Sequence, residues 1–477
     1  MEHTMHYDKI GRPTHQRVRH NGQTLYDKSY TWGDNLRLLR KFDTINRRSV
    51  RYDYDAFGSL SGAVYGDGSR QWRNPDLMGN VYDSSDRTDR SYGRGGQLRE
   101  DRKWRYYYDS HGNLVLKTMR RMDPSHNAEA RDEFLLWQSG DYAYTWQANG
   151  VLRSVTRPDG KTVTFKYDAL SRCIEKVFDG RVYRYPWDGD VILHEWDYAE
   201  YDRPKTIVTE AGELTLDRPE PVENLITRVY DSDSYVPTAK IVGDTHYSII
   251  SDYIGRPVQA YDDNGNIVWQ ADYDIYGNLH GSRRFIPFRQ LGQYEDEETG
   301  LYYNRFRYYD PNTGTYISQA PIGLAGNNPT LYGYVGDCNK WTDIFGLDML
   351  ALPAPTGKNP WESGEIVSTT IPKGGLDIEM AMSPGQTRPG GWATTDKITD
   401  VDFVRNKLAV TPEFKPEISH VQKFHNPEGE RFQIGTVRPQ TDNGIIYEGG
   451  GNQIQILIFE HRAKLEPIGK PRKISYI

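Results

Sequence analysis

The chain has 477 residues, a net charge of −7, 36% hydrophobic residues, 35 tyrosines, 45 glycines and two cysteines. That length exceeds what one ordinary core fills, so two or more domains are expected. The acid excess disfavours a polyanion-binding surface, so nucleic acid is an unlikely partner, and Cys173 and Cys338 give neither a disulfide framework nor a metal-ligand spacing.

The chain opens MEHTMHYDKIGR, which is polar and lacks the apolar core of a secretory signal. No apolar run is long enough to span a bilayer, so no membrane segment is expected. High tyrosine and glycine with modest hydrophobicity point to a mostly β chain with aromatic ridges and glycine turns.

From residue 1 to about 347 one unit recurs: Tyr-Asp, two or three residues, Gly, then an apolar residue. Instances are YDKIGRP (7–13), YDYDAFGSL (52–60), YYDSHGNLV (107–115), YDALSRCIE (167–175), DYIGRPVQA (252–260) and YDIYGNL (273–279). Each reads as a strand, a tight turn and a return strand. A spacing of about 20 residues in the clearest places predicts stacked units sharing one core.

These units, and ETGLYYNRFRYYDPNTGTYIS within 292–347, resemble the Rhs/YD-repeat family of polymorphic toxins. The resemblance implies a YD-repeat β-sheet cocoon enclosing a C-terminal toxin. The chain starts in mid-repeat, so a partial cocoon is expected. The resemblance also implies a junction that cleaves itself after a DPxGL-type leucine. Here that motif reads Asp343-Ile344-Phe345-Gly346-Leu347, which puts the cut at Leu347–Asp348. Upstream, Ala320 stands where the family carries a second aspartate, so self-cleavage and a merely capping Asp343 both stay open.

Tyrosine nearly vanishes after Leu347, leaving only Tyr447 and Tyr476, and the Pro-rich stretch ALPAPTGKNP (351–360) follows. The expected domains are therefore 1–347, the core, and 348–477, a C-terminal toxin domain. The latter carries 15 Lys+Arg against 16 Asp+Glu, which weakens a nuclease reading. In order it reads as a strand and turn at EIVSTTIPKGG, and a strand or short helix at LDIEMAMSPG. A strand at GGWATTDKI and a short helix in DVDFVRNKLAVTP follow. Further strands are expected at HVQKFHNPEG, RFQIGTVRPQ, GNQIQILIF and KLEPIGKPRKI. His420, His425 and His461 are its only histidines, no cysteine is present and no G-x-S-x-G occurs, so no metal or hydrolase centre is predicted.

The phrase YEGGGNQIQILIF (447–459) carries the sharpest signal. Gly449, Gly450 and Gly451 permit conformations closed to other residues. Gln453 and Gln455 share one face of the following strand. The order HVQKFHNPEGERFQIGTVRPQ…YEGGGNQIQI resembles the NAD-degrading domain of the tuberculosis necrotizing toxin group, whose fold is ADP-ribosyltransferase-like. That resemblance implies NAD as substrate and Gln453 and Gln455 as catalytic residues. It implies NAD contacts from Arg388, Trp392, Thr394, Arg405 and the three glycines, with Thr395, Arg438 and Gln440 as lesser candidates. Gln-x-Gln replaces the Glu-x-Glu or Gln-x-Glu of transferases. A carboxylate is better placed to stabilise ribosyl cation and to activate an acceptor. The amides therefore favour NAD hydrolysis over ADP-ribosyl transfer. A nuclease and an inactive orphan cassette also stay open. The family further implies an effector delivered through secretion machinery or the upstream Rhs region, acting in a target-cell cytoplasm and matched by a cognate immunity protein.

Overall fold

The computed structural model describes residues 1–9, 11–33, 37–121, 137–231, 234–282, 285–326, 328, 330–347, 350–351, 367–387, 389–412, 414–429, 431–442, 444–456, 462 and 464–476. The chain divides into two compact units, 1–324 with 328–349, and 325–327 with 350–477.

The first unit is almost entirely antiparallel β-structure. Seven strands from Glu2 to Trp72 pair in sequence order. Sixteen more form one continuous ladder from Ser91–Tyr92 to Leu279–Gly281. The repeated Tyr-Asp explains this regularity. In YYDSHGNLV the Asp109 carboxylate accepts the main-chain N–H of His111 at 2.9 Å and of Asn113 at 2.8 Å. Gly112 then takes a left-handed φ of 79°. Asp55, Asp168, Asp252 and Asp274 make the same pair of bonds, to the second and fourth residues beyond them. The aspartate therefore closes each hairpin turn by satisfying its inner N–H groups.

In some repeats the tyrosine ties its hairpin to the one before it, and in others it reaches the closing segment, as Tyr167 does to Tyr308 and Tyr253 to Asn339 O. Tyr54 donates its hydroxyl to Leu38 O at 2.9 Å, and Tyr273 donates to Pro257 O at 2.7 Å, each reaching 16 residues back. At Tyr54 and Tyr273 neighbouring repeats thus meet through a ring with a satisfied polar tip.

A four-stranded sheet, Tyr294–Asp296, Leu301–Asn304, Arg307–Asp310 and Thr315–Tyr316, closes the repeats. Side chains alternate across it. Tyr302 and Tyr309 pack with Leu38, Leu60 and Ala63, whereas Tyr303 and Tyr308 pack with Leu152, Val163 and Phe165. The tyrosine pairs of LYYNRFRYYD thus join the early repeats to the middle ones.

Strands of the second unit are numbered from its own start: β1 (Val367–Thr370), β2 (Leu376–Met382), β3 (Trp392–Ala393), α1 (Val401–Asn406), β4 (His420–Asn426), β5 (Arg431–Thr436), β6 (Gln440–Asp442), β7 (Ile445–Tyr447), β8 (Asn452–Gln455) and β9 (Glu466–Lys473). One sheet has the order β1-β5-β8-β3, a second β2-β4-β9, and β6-β7 is a hairpin. Ile378, Met380 and Phe424 from the second sheet meet Phe432, Ile454 and Ala393 from the first in a common core. Asp400 caps α1, accepting the Phe403 N–H at 2.7 Å. Among the described residues no helix is long and apolar enough to cross a membrane.

Candidate functional site

Register places the glutamines. On the β5–β8 ladder Gln433 pairs with Gln455, Ile434 with Ile454 and Gly435 with Gln453. On the β8–β3 ladder Gln455 pairs with Trp392 and Ile454 with Ala393. Directly opposed residues project to the same face. One face of the sheet therefore carries Gln433, Gln455 and Trp392 in a cross-strand row, with Gln453 beside it. The other face sends Ile454 and Ala393 into the core.

The amides are not solvent groups. Gln433, Gln453 and Gln455 are 0%, 6% and 7% exposed. Among the described residues no hydrogen bond is formed by the Gln453 or Gln455 side chain. An amide that the protein leaves unbonded is free to bind a polar ligand. Gln433 has no sequence neighbour that singles it out, since only the β5–β8 register brings it to the row.

The triglycine is a fixed corner. Gly449 and Gly450 have left-handed φ values of 72° and 83°. All three N–H groups are bonded: Gly449 to Asn406 O at 2.7 Å, Gly450 to Val437 O at 2.7 Å and Gly451 to Lys407 O at 2.9 Å. The glycines thus seat β8 against the end of α1, and their amides are not available as a phosphate cradle. A Cβ on Gly449 would lie 2.5 Å from Val437 O, and one on Gly451 would lie 2.6 Å from Lys407 O.

The remaining expected contacts scatter. Thr394 is fully buried and donates to Asn452 O, while Thr395 accepts from Asn452 Nδ2 at 3.1 Å. These threonines fix the start of β8. Arg405 is 4% exposed, and its guanidinium donates to Val410 O at 2.8 Å and Pro416 O at 3.0 Å. Its fork is committed to the loop after α1, so the NAD contact expected of it from sequence does not fit this geometry. Burial and the Arg405 charge hold the Lys415 ammonium below its usual range. Arg388, another expected NAD contact, lies outside the described residues. His420 bonds Ser419, and His425 bonds Asp377 at 2.9 Å on the surface. Hydrogen bonds from His425 and Lys423 lower the Asp377 carboxyl.

At the junction, Asp343 is 1% exposed. Its Oδ2 accepts from Tyr316 at 2.7 Å and Arg307 Nη2 at 3.1 Å, and its Oδ1 accepts the Leu347 N–H at 2.9 Å. Arg307 also donates to Gly346 O. Ala320 N donates to Leu331 O at 2.8 Å, a carbonyl also approached by Arg307 Nη1 at 3.4 Å. Asp348 lies outside the described residues.

A family profile described as teneurin YD-shell matches residues 1–324. The chain belongs to the teneurin YD-shell family. Proteins similar to this chain include double-stranded DNA deaminase toxin A of Burkholderia cenocepacia, 27% identical over 470 residues, 89% of this chain and 30% of that protein. The protein named probable deoxyribonuclease RhsA of Dickeya dadantii is 29% identical over 262 residues, 53% of this chain and 16% of that protein. Toxin protein Tse5 of Pseudomonas aeruginosa is 30% identical over 376 residues, 68% of this chain and 27% of that protein. The YD-shell chain thus spans 16% to 30% of the length of these relatives. It is also similar to the TcdB2-TccC3-TEV structure, with a TM-score of 0.42, 16% identity, 72% of this chain and 19% of that chain. A second likeness is to Tne2 in complex with Tni2, with a TM-score of 0.22, 21% identity, 24% of this chain and 99% of that chain. At these scores neither likeness assigns chemistry.

The relatives bear out the expected kinship with Rhs-type toxins. They also correct one expectation. Nucleic acid was disfavoured on net charge, yet relatives of this YD-shell chain are named as a deoxyribonuclease and as a tRNA3(Ser)-specific nuclease. A charge of −7 is an average over 477 residues. It cannot exclude a local groove in one domain, since phosphate contacts are made by a few residues.

Proposed function

We propose that residues 348–477 form the effector domain of a delivered toxin and that this domain breaks the nicotinamide–ribose bond of NAD. The observation that carries this reading is the row of buried amides, with Gln453 and Gln455 free of hydrogen bonds among the described residues and Trp392 in register beside them. Amides of this kind can bind ribose hydroxyls or a carboxamide, and an indole offers a stacking surface for a base. The sequence resemblance to NAD-degrading domains points the same way.

Hydrolysis is favoured over ADP-ribosyl transfer because the row itself is uncharged. Transfer needs a base for the acceptor, whereas water needs less activation. Glu448, one acid near this strand in sequence, is exposed just ahead of the triglycine corner. NAD labelled in the adenosine part separates the two reactions when incubated with purified chain. Free ADP-ribose with stoichiometric nicotinamide supports hydrolysis, and label on a macromolecule supports transfer. Intact NAD under all conditions defeats both.

A second reading, action on nucleic acid, follows from the names of the relatives. Plasmid and tRNA integrity in the same incubations tests it. Zinc-dependent base deamination in particular requires cysteine ligands, and no cysteine follows Leu347. For the junction we propose a capping Asp343 and an uncut Leu347–Asp348 bond. Its carboxylate already holds three donors, and no second carboxylate stands at position 320. A cognate immunity protein and delivery through the upstream Rhs region complete the proposal.

A further inference from the structure

Beside the four-stranded sheet of the first unit lies a cavity of about 50 Å³. Its walls are aromatic, with Trp187, Tyr230, Phe288, Tyr294 and Phe345 among them. Gln293 and Arg305, which are 1% and 8% exposed, also line it, together with Asp190, whose carboxylate is already turned to Arg305 Nη2. Neither amide atom of Gln293 has a hydrogen-bond partner among the described residues, and neither does Arg305 Nη1. The rest of the guanidinium is engaged: Nε donates to Leu170 O at 3.0 Å and Nη2 to Asp190 at 3.2 Å. Arg305 also has a left-handed φ of 56°. A non-glycine residue held there is strained, and such strain concentrates where a side chain is being aimed.

We propose that this cavity binds a small carboxylate group, held between the Arg305 Nη1 and Gln293 Nε2 donors. Two lines of chemistry select this class. A carboxylate has two acceptor oxygens and matches a guanidinium donor paired with an amide donor. The Arg305 charge is only partly neutralised, because Asp190 makes one contact and its side chain is 30% exposed to water. The aromatic walls lower the local dielectric and strengthen a charge-assisted bond. The volume admits a formate- or acetate-sized head group. That head group can belong to a free short-chain acid or to a glutamate or aspartate side chain.

Radiolabelled acetate and the full chain in equilibrium dialysis test this directly. The expected result is one saturable acetate per chain, unaffected by equimolar chloride. Gln293→Leu removes the amide, and Gln293→Glu places a carboxylate of its own beside Arg305. Both are expected to lower acetate affinity at least tenfold while near-ultraviolet circular dichroism stays native. Competition by a capped Gly-Glu-Gly peptide assigns the site to protein carboxylates as well, and lack of competition assigns it to free acids. The proposal is overturned if acetate does not saturate, or if the folded Gln293→Glu chain binds it as tightly as the parent.

Discussion

Gln433 and Gln455 stand directly opposite one another on antiparallel β5 and β8, both buried, on the face turned away from Ile434 and Ile454. A one-residue slip of β8 would exchange the amides for isoleucines and put polar groups in the core. The apolar face therefore sets the register that assembles the polar one. On the proposed NAD reading, Gln453→Ala and Gln455→Ala each lower kcat/KM about 100-fold, the scale of losing one aimed hydrogen-bond donor. Thermal stability should hold, because the removed amides bond to nothing among the described residues. Nicotinamide release and a melting curve on the same preparations check both halves.

The triglycine corner gives a graded series. Gly450 has nothing within 4 Å of an added Cβ, so Gly450→Ala meets only the cost of its left-handed φ, about 1–2 kcal/mol. Gly449→Ala adds a collision with Val437 O at 2.5 Å to a similar φ. It should therefore be clearly worse, displacing β8 from α1. Chemical denaturation of the three chains ranks them, and equal losses would contradict the fixed-corner account.

Asp343 faces Arg307, whose side chain is 2% exposed. Removing the carboxylate leaves a buried guanidinium without this ion pair, so Asp343→Ala should cost about 3–5 kcal/mol. Asp343→Asn retains an acceptor for the Leu347 N–H and should cost less. Mass spectrometry of the unmodified chain after prolonged incubation is expected to show full length only. A fragment ending at Leu347 would refute the capping role.

Asp337 offers a pH test. Burial pushes its carboxyl up to about 6, opposed by the Asn339 N–H and by the Lys340 and Arg73 charges. An unfolded aspartate titrates near 3.9. Between these values the folded state holds the proton and the unfolded state has lost it. Stability from this group is therefore present at low pH and falls as pH rises through about 6. Asp337→Asn should remove that loss and gain about 3 kcal/mol over the parent at pH 7, with little gain near pH 4. Denaturant midpoints at the two pH values read the difference.

Much of the first unit was legible from local pattern. Tyr-Asp followed by glycine encodes a whole hairpin, because the aspartate satisfies N–H groups two and four residues away and the glycine accepts a left-handed φ. The expected short helix near DVDFVRNKLAVTP forms over Val401–Asn406, capped by Asp400. The alternation of Gln453 and Gln455 with isoleucines likewise announced one polar face.

Other features needed long-range partners. The glycines before β8 are expected from sequence to contact NAD, yet main-chain carbonyls at the end of α1 and just after β5 engage the N–H groups of all three. Arg405 read as a ligand fork until its own loop folded back to occupy it. Gln433 was invisible, since strand pairing between residues about twenty apart in sequence decides which side chains share a row. Sequence determined the hairpin repeat and the polar strand face, because both arise from contacts within a few residues. Tertiary structure alone decided which amides meet and which arginines are already engaged, because those depend on register and on carbonyls supplied from elsewhere in the chain.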